Sequence, residues 1–260
     1  MSIPSRTALV TGAASGIGAA IAARLTRSGH SVVLLDIDAQ GLERRISELA
    51  AAGGRASGIV ADLADVGRPD VAAALVSRIR EHVSTLDVLV NAAGIAETGS
   101  TADLDMASYR RVLDVNLDGM VALTVALLPL LRDSSSARVL NIGSVQGQTS
   151  AVDTLAYATS KGGVHAFTRS LAVDLAADGI LVNALAPGFV DTPMARLADG
   201  STEFETGWFQ DVYVRHGRIP LRRPAQPDEI AAAAEFFVSP DNTYVTGQVV
   251  AVDGGLGATF

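Results

Sequence analysis

Tyr157 and Lys161 stand four residues apart, and Ser144 lies thirteen residues before the tyrosine at the end of an apolar run. On a helix, residues i and i+4 share a face, so a phenol and an ammonium would be held side by side. A tyrosine titrates near pH 10 when unperturbed and is a poor base at neutrality unless a nearby positive charge stabilises its phenolate. Lys161 would be that charge. The chemistry such a pair could perform is acid–base catalysis at a hydroxyl or carbonyl oxygen, with a serine hydroxyl to orient that oxygen. Taken alone, Y-x-x-x-K is a common accident of amphipathic helices, and its meaning depends on what precedes it.

What precedes it begins with an apolar run broken by glycines, Thr11-Gly12-Ala13-Ala14-Ser15-Gly16-Ile17-Gly18, followed by a helical pattern. Glycines at 12, 16 and 18 let a backbone turn tightly and approach a diphosphate, which the N-terminal N–H groups of the following helix would face. A tight strand-to-helix turn with no ligand would read the same locally. A second apolar run then ends in Asp36, twenty-four residues after Gly12. An acidic side chain there accepts hydrogen bonds from both ribose hydroxyls of an adenosine, and it repels a 2′-phosphate.

Strand-length apolar runs recur at 8–10, 31–35, 56–61, 86–91, 137–143, 181–185 and 248–252. Helix-length amphipathic segments fall between them at 16–28, 40–52, 69–83, 108–132, 154–178 and 227–238. Continuous rather than alternating apolar strands, separated by helices, predict one α/β domain: a doubly wound parallel sheet of about seven strands covered on both faces. Ligands in such sheets sit beyond the C-terminal strand ends. Thr11, Asp36, Asp62, Asn91, Ser144 and Pro187 all fall there, so one crevice should collect the candidates. Residues 193–222 have no clear period but hold Phe204, Trp208, Phe209 and Tyr213. These rings either pack a small outlying helix or belong to a mobile lid over the substrate.

Length and composition narrow the function classes. A chain of 260 residues can bury a full core without staples. It has no cysteine, which excludes disulfides, thiolate metal sites and thiol nucleophiles. A net charge of −8 is the wrong sign for a nucleic-acid binder, and the one basic cluster, Arg215, Arg218, Arg222 and Arg223, reads as a solvated loop or subunit contact. No stretch is long enough to span a bilayer, and residues 1–5 lack a signal pattern, so a soluble cytoplasmic protein with no membrane partner is expected. No His/Asp/Glu cluster has metal-ligand spacing, so no catalytic metal is expected. His30, His82 and His216 read as loop or solvent residues, and His165 as a packing or interface residue rather than a catalyst.

With the glycine loop, Asp36, Ser144, Tyr157 and Lys161 in this order, the chain resembles the short-chain dehydrogenase/reductase family from Thr11 to Gly255. Further family motifs stand at Asp62-Leu63, Asn91-Ala92-Ala93-Gly94, Asn116, Pro187-Gly188, Thr192 and Val252-Asp253-Gly254-Gly255. The resemblance implies a Rossmann-like fold and NAD as cofactor. It implies Tyr157 as base in oxidation and acid in reduction, and Ser144 as the donor to the reacting oxygen. Lys161 would bind the nicotinamide ribose, and Asn116 would link Lys161 to a water relay. Gly12, Ser15, Gly16, Ile17 and Gly18 would cradle the diphosphate. Asp62 would contact the adenine, with Leu63 donating from its backbone; Asp62 could equally be a helix N-cap. Asn91, Ala92 and Gly94 would pass close to the ribose. Pro187, Gly188 and Val190 would line the nicotinamide, whose carboxamide Thr192 would bind.

The expected reaction is the NAD-dependent interconversion of a secondary alcohol and a ketone on a small molecule, a polyol, sugar or cyclic alcohol. Gln146 and Gln148 lie where the substrate wall should be, and Trp208 on the lid; Gln146 and Trp208 are the candidate substrate residues beside Ser144 and Tyr157. A 3-oxoacyl thioester reductase is the nearest alternative, and a cofactor-binding regulator without catalysis the alternative from another class. Helices 108–132 and 154–178 carry more apolar residues than one core-facing stripe needs, and together with the resemblance this suggests a homotetramer.

Overall fold

The computed structural model describes residues 6–258; residues 1–5, on which the expectation of no signal pattern rests, lie outside them. Seven strands form one sheet: β1 (Thr7–Thr11), β2 (Ser31–Asp36), β3 (Arg55–Val60), β4 (Val88–Asn91), β5 (Arg138–Ile142), β6 (Leu181–Pro187) and β7 (Val249–Val252). Their order is β3-β2-β1-β4-β5-β6-β7, and every neighbouring pair is parallel. The sheet reverses its direction of growth beside β1, between β2 and β4. That is the switch point at which ligands bind in open α/β sheets.

The central strands are mainly apolar because both faces are covered, and alternate residues serve opposite layers, whereas the edge strands β3 and β7 are partly exposed. Leu9, Leu89 and Val139 face a core built with Ile79, Leu123 and Leu171. Ala8, Val10, Val90 and Leu140 face the other, built with Ile21, Leu25, Ile230 and Phe237. The helices supplying these layers include α1 (Gly16–Arg27), α2 (Ala39–Ala51) and α3 (Pro69–Arg80). Asp38 caps α2 by accepting from the Gly41 N–H, which fixes where that helix leaves β2.

The expected continuous helix over 108–132 is instead four pieces. It comprises α4 (Met106–Leu113), a π-helical turn (Asp114–Asp118), α5 (Gly119–Ala126) and α6 (Leu128–Arg132). Pro129 sits in the first turn of α6, where its missing N–H costs nothing, and so it starts a new helix rather than continuing the old one. The segment 154–178 is α7 (Leu155–Asp174) followed by a short 3₁₀ turn (Ala176–Asp178). Exposed Met106, Val125, Leu155 and Val173 show that these helices do carry apolar residues beyond their core stripe.

Residues 193–222 fold into 3₁₀ turns (Pro193–Ala195 and Glu203–Glu205), the single turn α8 (Gly207–Phe209) and a π-helical stretch (Gln210–Arg215). They have a small core of their own in which Phe204, Phe209 and Ile219 are buried against Phe189 and Tyr213. Phe189 meets Phe209 edge-on with ring centroids 5.0 Å apart. The chain then returns through α9 (Pro227–Val238) to β7. No helix among the described residues is long and apolar enough to cross a membrane.

Candidate active site

The crevice opens where β1, β4, β5 and β6 end. Gly12 has a φ of +66°, and a Cβ there would lie 2.7 Å from Ala93 Cα, so the first turn has no room for a side chain. Thr11 locks the two loops together: its hydroxyl accepts from the N–H groups of Ala92 and Ala93 at 3.0 and 3.1 Å. Gly16 and Gly18 open α1, Ile17 packs down onto the core, and Gly16 faces the Thr192 methyl. Ser15 and Thr192 are the N-cap residues of their helices, but neither hydroxyl caps its own helix. Both are therefore available to a ligand lying across the glycine loop.

Asp36 ends β2 at the edge of this cradle. Its Oδ2 accepts from the Ala14 N–H at 2.9 Å and its Oδ1 from the Asp38 N–H at 3.0 Å. Two backbone donors thus aim the carboxylate, with a lone pair free on each oxygen. Of the two roles open to it from sequence, Asp62 fills the N-cap, accepting from the Ala64 N–H, and its other oxygen receives Arg111 at 2.9 Å. Its carboxyl is held below the usual range; burial opposes this, while the Arg111 guanidinium and the Ala64 N–H together outweigh it. Arg111 is invisible to motif reasoning because it comes from α4, 49 residues away. Leu63, beside Asp62, is buried in the core.

Asn91 turns its side chain into the sheet. Its Nδ2 donates to Thr124 Oγ1 and Asn141 Oδ1, and Asn141 in turn donates to Thr168, a buried polar chain joining α5, β4, β5 and α7. Its amide steadies the sheet, while the backbone from Ala92 to Gly94 forms the crevice floor. Gly94 lies against Asn116 and Lys161, where a Cβ would come 3.3 Å from Asn116 Oδ1 and 3.5 Å from Lys161 Nζ. Asn116, in the π-helical turn, exchanges hydrogen bonds with the backbone of Ile95 and donates to Ser160 Oγ. Its side chain is committed to holding this loop on α7. Gly94 lies between Asn116 Oδ1 and Lys161 Nζ, the pair expected to share a water relay.

The sequence trio does converge. Ser144 leaves β5 and accepts from the Gln146 N–H at 3.1 Å, so its own proton remains free to donate. It faces the Tyr157 phenol and draws its pKa down, although burial, the larger influence, pushes that pKa up. The lysine ammonium lies 5.6 Å from the centre of the tyrosine ring and donates to the Ile142 carbonyl at 2.9 Å. Lys161 thus spans the floor between β5 and α7. An ammonium has three N–H donors, so the bond to Ile142 leaves two for a ligand while the charge stands beside the tyrosine ring. Pro187 ends β6, Gly188 donates to the Val252 carbonyl, and Val190 is bridged to Ala225. This strand end and Thr192 lead out over the glycine loop.

The substrate side is more mixed. Gln146 Oε1 is buried with no partner among the described residues. A cavity of about 510 Å³ lies beside it, lined also by Thr101, Gln148 and Thr159, and it does not include Ser144 or Tyr157 in its walls. Trp208 is 64 % exposed and packs edge-on against Tyr213, whereas Phe204 and Phe209 are core. For those two buried rings the packing reading from sequence is the one the fold bears out. Among the other sequence candidates, His30 is half-buried and hydrogen-bonds the Leu25 carbonyl rather than solvent.

Lys161 is buried without a carboxylate partner, and burial lowers its pKa from 10.5 to about 8. An unfolded lysine binds its proton more tightly than the folded one, so burial costs stability in full below about pH 8, and the cost fades as pH rises towards 10.5. A shift of this size corresponds to roughly 3 kcal/mol, partly offset by the Ile142 hydrogen bond, worth about 1 kcal/mol. Cofactor-free Lys161→Met is expected to melt several degrees above the parent at pH 7, with the gain shrinking towards pH 10. Melting curves across that range that kept a constant offset, or showed a loss at pH 7, would contradict this.

A family model described as enoyl-(acyl carrier protein) reductase matches residues 12–257. Galactitol 2-dehydrogenase (L-tagatose-forming) of Cereibacter sphaeroides is 40 % identical over 251 residues, 95 % of this chain and 93 % of that protein. Cis-4-hydroxycyclohexanecarboxylate dehydrogenase of Sinomonas cyclohexanicum is 39 % identical over 96 % of each chain. A solved structure of a variant actinorhodin polyketide ketoreductase with NADPH superposes with a TM-score of 0.88 at 36 % identity, covering 98 % of both chains. The chain belongs to the short-chain dehydrogenase/reductase family and is an oxidoreductase acting on CH–OH groups with a nicotinamide dinucleotide of the NAD(P) type.

Proposed function

We propose that the protein is an NAD-dependent dehydrogenase that interconverts a small hydroxyl-bearing or cyclic secondary alcohol and its ketone. The observation that carries this reading is Asp36, a carboxylate held by two backbone donors at the place where an adenosine ribose would lie. Ser15, Gly16, Asp36, Lys161 and Thr192 would hold the dinucleotide, which when bound supplies the hydride acceptor or donor. In oxidation the Ser144 hydroxyl donates to the alcohol oxygen and orients it. The Tyr157 phenolate takes the hydroxyl proton as the carbon loses its hydride, and in reduction the same phenol returns a proton to the carbonyl oxygen. The Lys161 ammonium, 5.6 Å from the centre of the tyrosine ring, stabilises the phenolate.

The buried, unpartnered Gln146 Oε1 supports a polar substrate, since a substrate hydroxyl donating to it would remove the penalty of leaving it unpaired. The relatives acting on galactitol and on a hydroxycyclohexanecarboxylate fit that chemistry. The relation to a polyketide ketoreductase keeps reduction of a 3-oxoacyl thioester as the second reading. Initial rates with NAD over polyols, cyclic hydroxy acids and 3-hydroxyacyl thioesters separate the two. Turnover confined to thioesters with NADPH would sink the first reading, and no turnover of any alcohol would favour a non-catalytic binding role.

The segment 193–222 is read as the substrate lid. Its root lies against Gly16, its inner rings form a separate core, and Trp208 is left outside that core. Closure over the crevice would exclude water from hydride transfer. Trp208→Ala is therefore expected to reorder kcat/KM among alcohols by tenfold or more for the best substrate, while Tm and the KM for NAD stay nearly parental. Phe209→Ala, which opens the lid core, should by contrast cost about 3–5 kcal/mol of stability. An unchanged substrate ranking in Trp208→Ala would return the segment to a purely structural role.

A further inference from the structure

His165 lies one turn beyond Lys161 on α7 and is 2 % exposed, yet no hydrogen bond of good geometry reaches either ring nitrogen, and the Gly147 backbone is the one polar group that favours its proton. An apolar side chain would fill the same space without burying unpaired polar atoms, so core packing alone is a poor reason for an imidazole. The ring rests against two glycines that bracket Ser144. A Cβ on Gly143 would overlap Nε2, and a Cβ on Gly147 would overlap Cε1. Neither glycine has a positive φ, so their backbone would accept any residue. At Gly143 the ring is the closest obstacle to a side chain, with the Leu185 carbonyl next at 3.2 Å, while at Gly147 a Cβ would also lie 2.7 Å from the Lys161 carbonyl oxygen.

The loop between these glycines is a tight unit. Gly143 donates to the Leu185 carbonyl at 2.7 Å, Gly147 donates to the Ser144 carbonyl at 2.9 Å, and Gln146 donates to the Ser144 hydroxyl. Whatever sets the height of Gly143 and Gly147 above α7 therefore also sets the height of Ser144 above Tyr157, since Tyr157 belongs to α7. We propose that His165 is a positioning residue, an imidazole wedged between α7 and the 143–147 loop that holds Ser144 at its working distance from Tyr157. The inference rests on the roles given above to Ser144 and Tyr157. Burial, Arg169 and Lys161 all lower the imidazole pKa, and only the Gly147 backbone raises it, so the wedge is held neutral and adds no charge beside Lys161.

The test is a double-mutant cycle on the full-length protein with His165→Ala, Gly143→Ala and the pair, measured beside Tyr157→Phe. Loss of the wedge in His165→Ala should lower kcat roughly ten- to a hundredfold, the scale on which ångström misplacements act. The Kd for NADH should stay within about twofold. The apparent pKa in the kcat profile should rise, because Ser144 would no longer draw the phenol down. Gly143→Ala should be impaired by overlap with the ring, and adding His165→Ala should recover activity at least about tenfold by giving the methyl the vacated space. If Gly143→Ala alone does not fold, recovery of a folded double variant reports the same coupling. Parental kcat and pH profile in His165→Ala, with only Tm lowered, would make His165 a packing residue and overturn the proposal. Retained turnover in Tyr157→Phe would instead overturn the acid–base reading on which it rests.

Discussion

Tyr157→Phe is expected to lose about two to four orders of magnitude in kcat while NADH binds with nearly parental affinity. The substitution removes one oxygen, and that oxygen is where the proton of the substrate hydroxyl must go. Among the described residues only the Ser144 hydroxyl faces it, and a serine is far too weak an acid or base to replace a phenol. Binding should survive because the groups read as holding the dinucleotide, from Gly12 to Asp36 and at Thr192, belong to other elements. Lys161→Ala should behave differently and damage both kcat and NADH binding, since its ammonium reaches both the tyrosine face and the Gly94 side of the floor. Stopped-flow turnover with fluorescence titration of NADH separates the two effects. Near-parental turnover in Tyr157→Phe would mean that proton transfer runs elsewhere.

A preference for NAD over NADP of more than tenfold in kcat/KM is the second large expectation. A carboxylate about 4 Å from a 2′-phosphate costs on the order of 4 kcal/mol per unit charge pair at an effective dielectric of 20, and half of that already exceeds tenfold. Position 37, the natural place for a compensating cation, is an exposed isoleucine. The nearest arginines are engaged: Arg44 approaches Asp38 at 3.7 Å, and Arg45 pairs with Glu48 while its Nε reaches the Ala14 carbonyl at 3.3 Å. Arg45, whose Nε reaches back to the glycine loop at Ala14, is the cation to set against a phosphate, and a relative in this family carries NADPH. Asp36→Ala should narrow the preference chiefly by improving NADP. Equal or better parental kcat/KM with NADP would show that Arg45 outweighs the carboxylate.

The central strands were legible because burial on both faces leaves unbroken runs such as Val88-Leu89-Val90, which nothing but a parallel sheet uses so economically. The cofactor cradle was legible because Gly12 answers a backbone demand, and backbone demands are written locally. The interruption at 114–118 was not legible. It coincides with the cross-bonding of Asn116 to Ile95 and Ser160, contacts 21 and 44 residues away, and no periodicity registers them. Pro129 did announce the later break, but a proline in the first turn of a helix reads like one inside a helix until the turn before it is seen. Arg111 on Asp62 and His165 beneath Gly143 were hidden for the same reason: each is half of a pair whose other half is distant in sequence. The hydrogen bond from Lys161 to the Ile142 carbonyl, and the burial that raises the Tyr157 pKa, are properties of packing that the i, i+4 spacing could not foretell.

The chain of buried amides and hydroxyls from Thr124 through Asn91 and Asn141 to Thr168 also bears on how the molecule finds its register. Apolar parallel strands are nearly interchangeable with themselves: β4 shifted along β5 would still place valine and leucine against valine and leucine. The two asparagines are opposite one another in the native pairing. A shift of one residue would turn one of them to the other face, and a shift of two would strand both in hydrocarbon, each paying the desolvation cost of an unmet amide. The polar chain is thus an index mark on an otherwise ambiguous ruler. It makes mispaired sheets costly early in folding, before the crevice that depends on correct alignment of Ser144 with the glycine loop has formed.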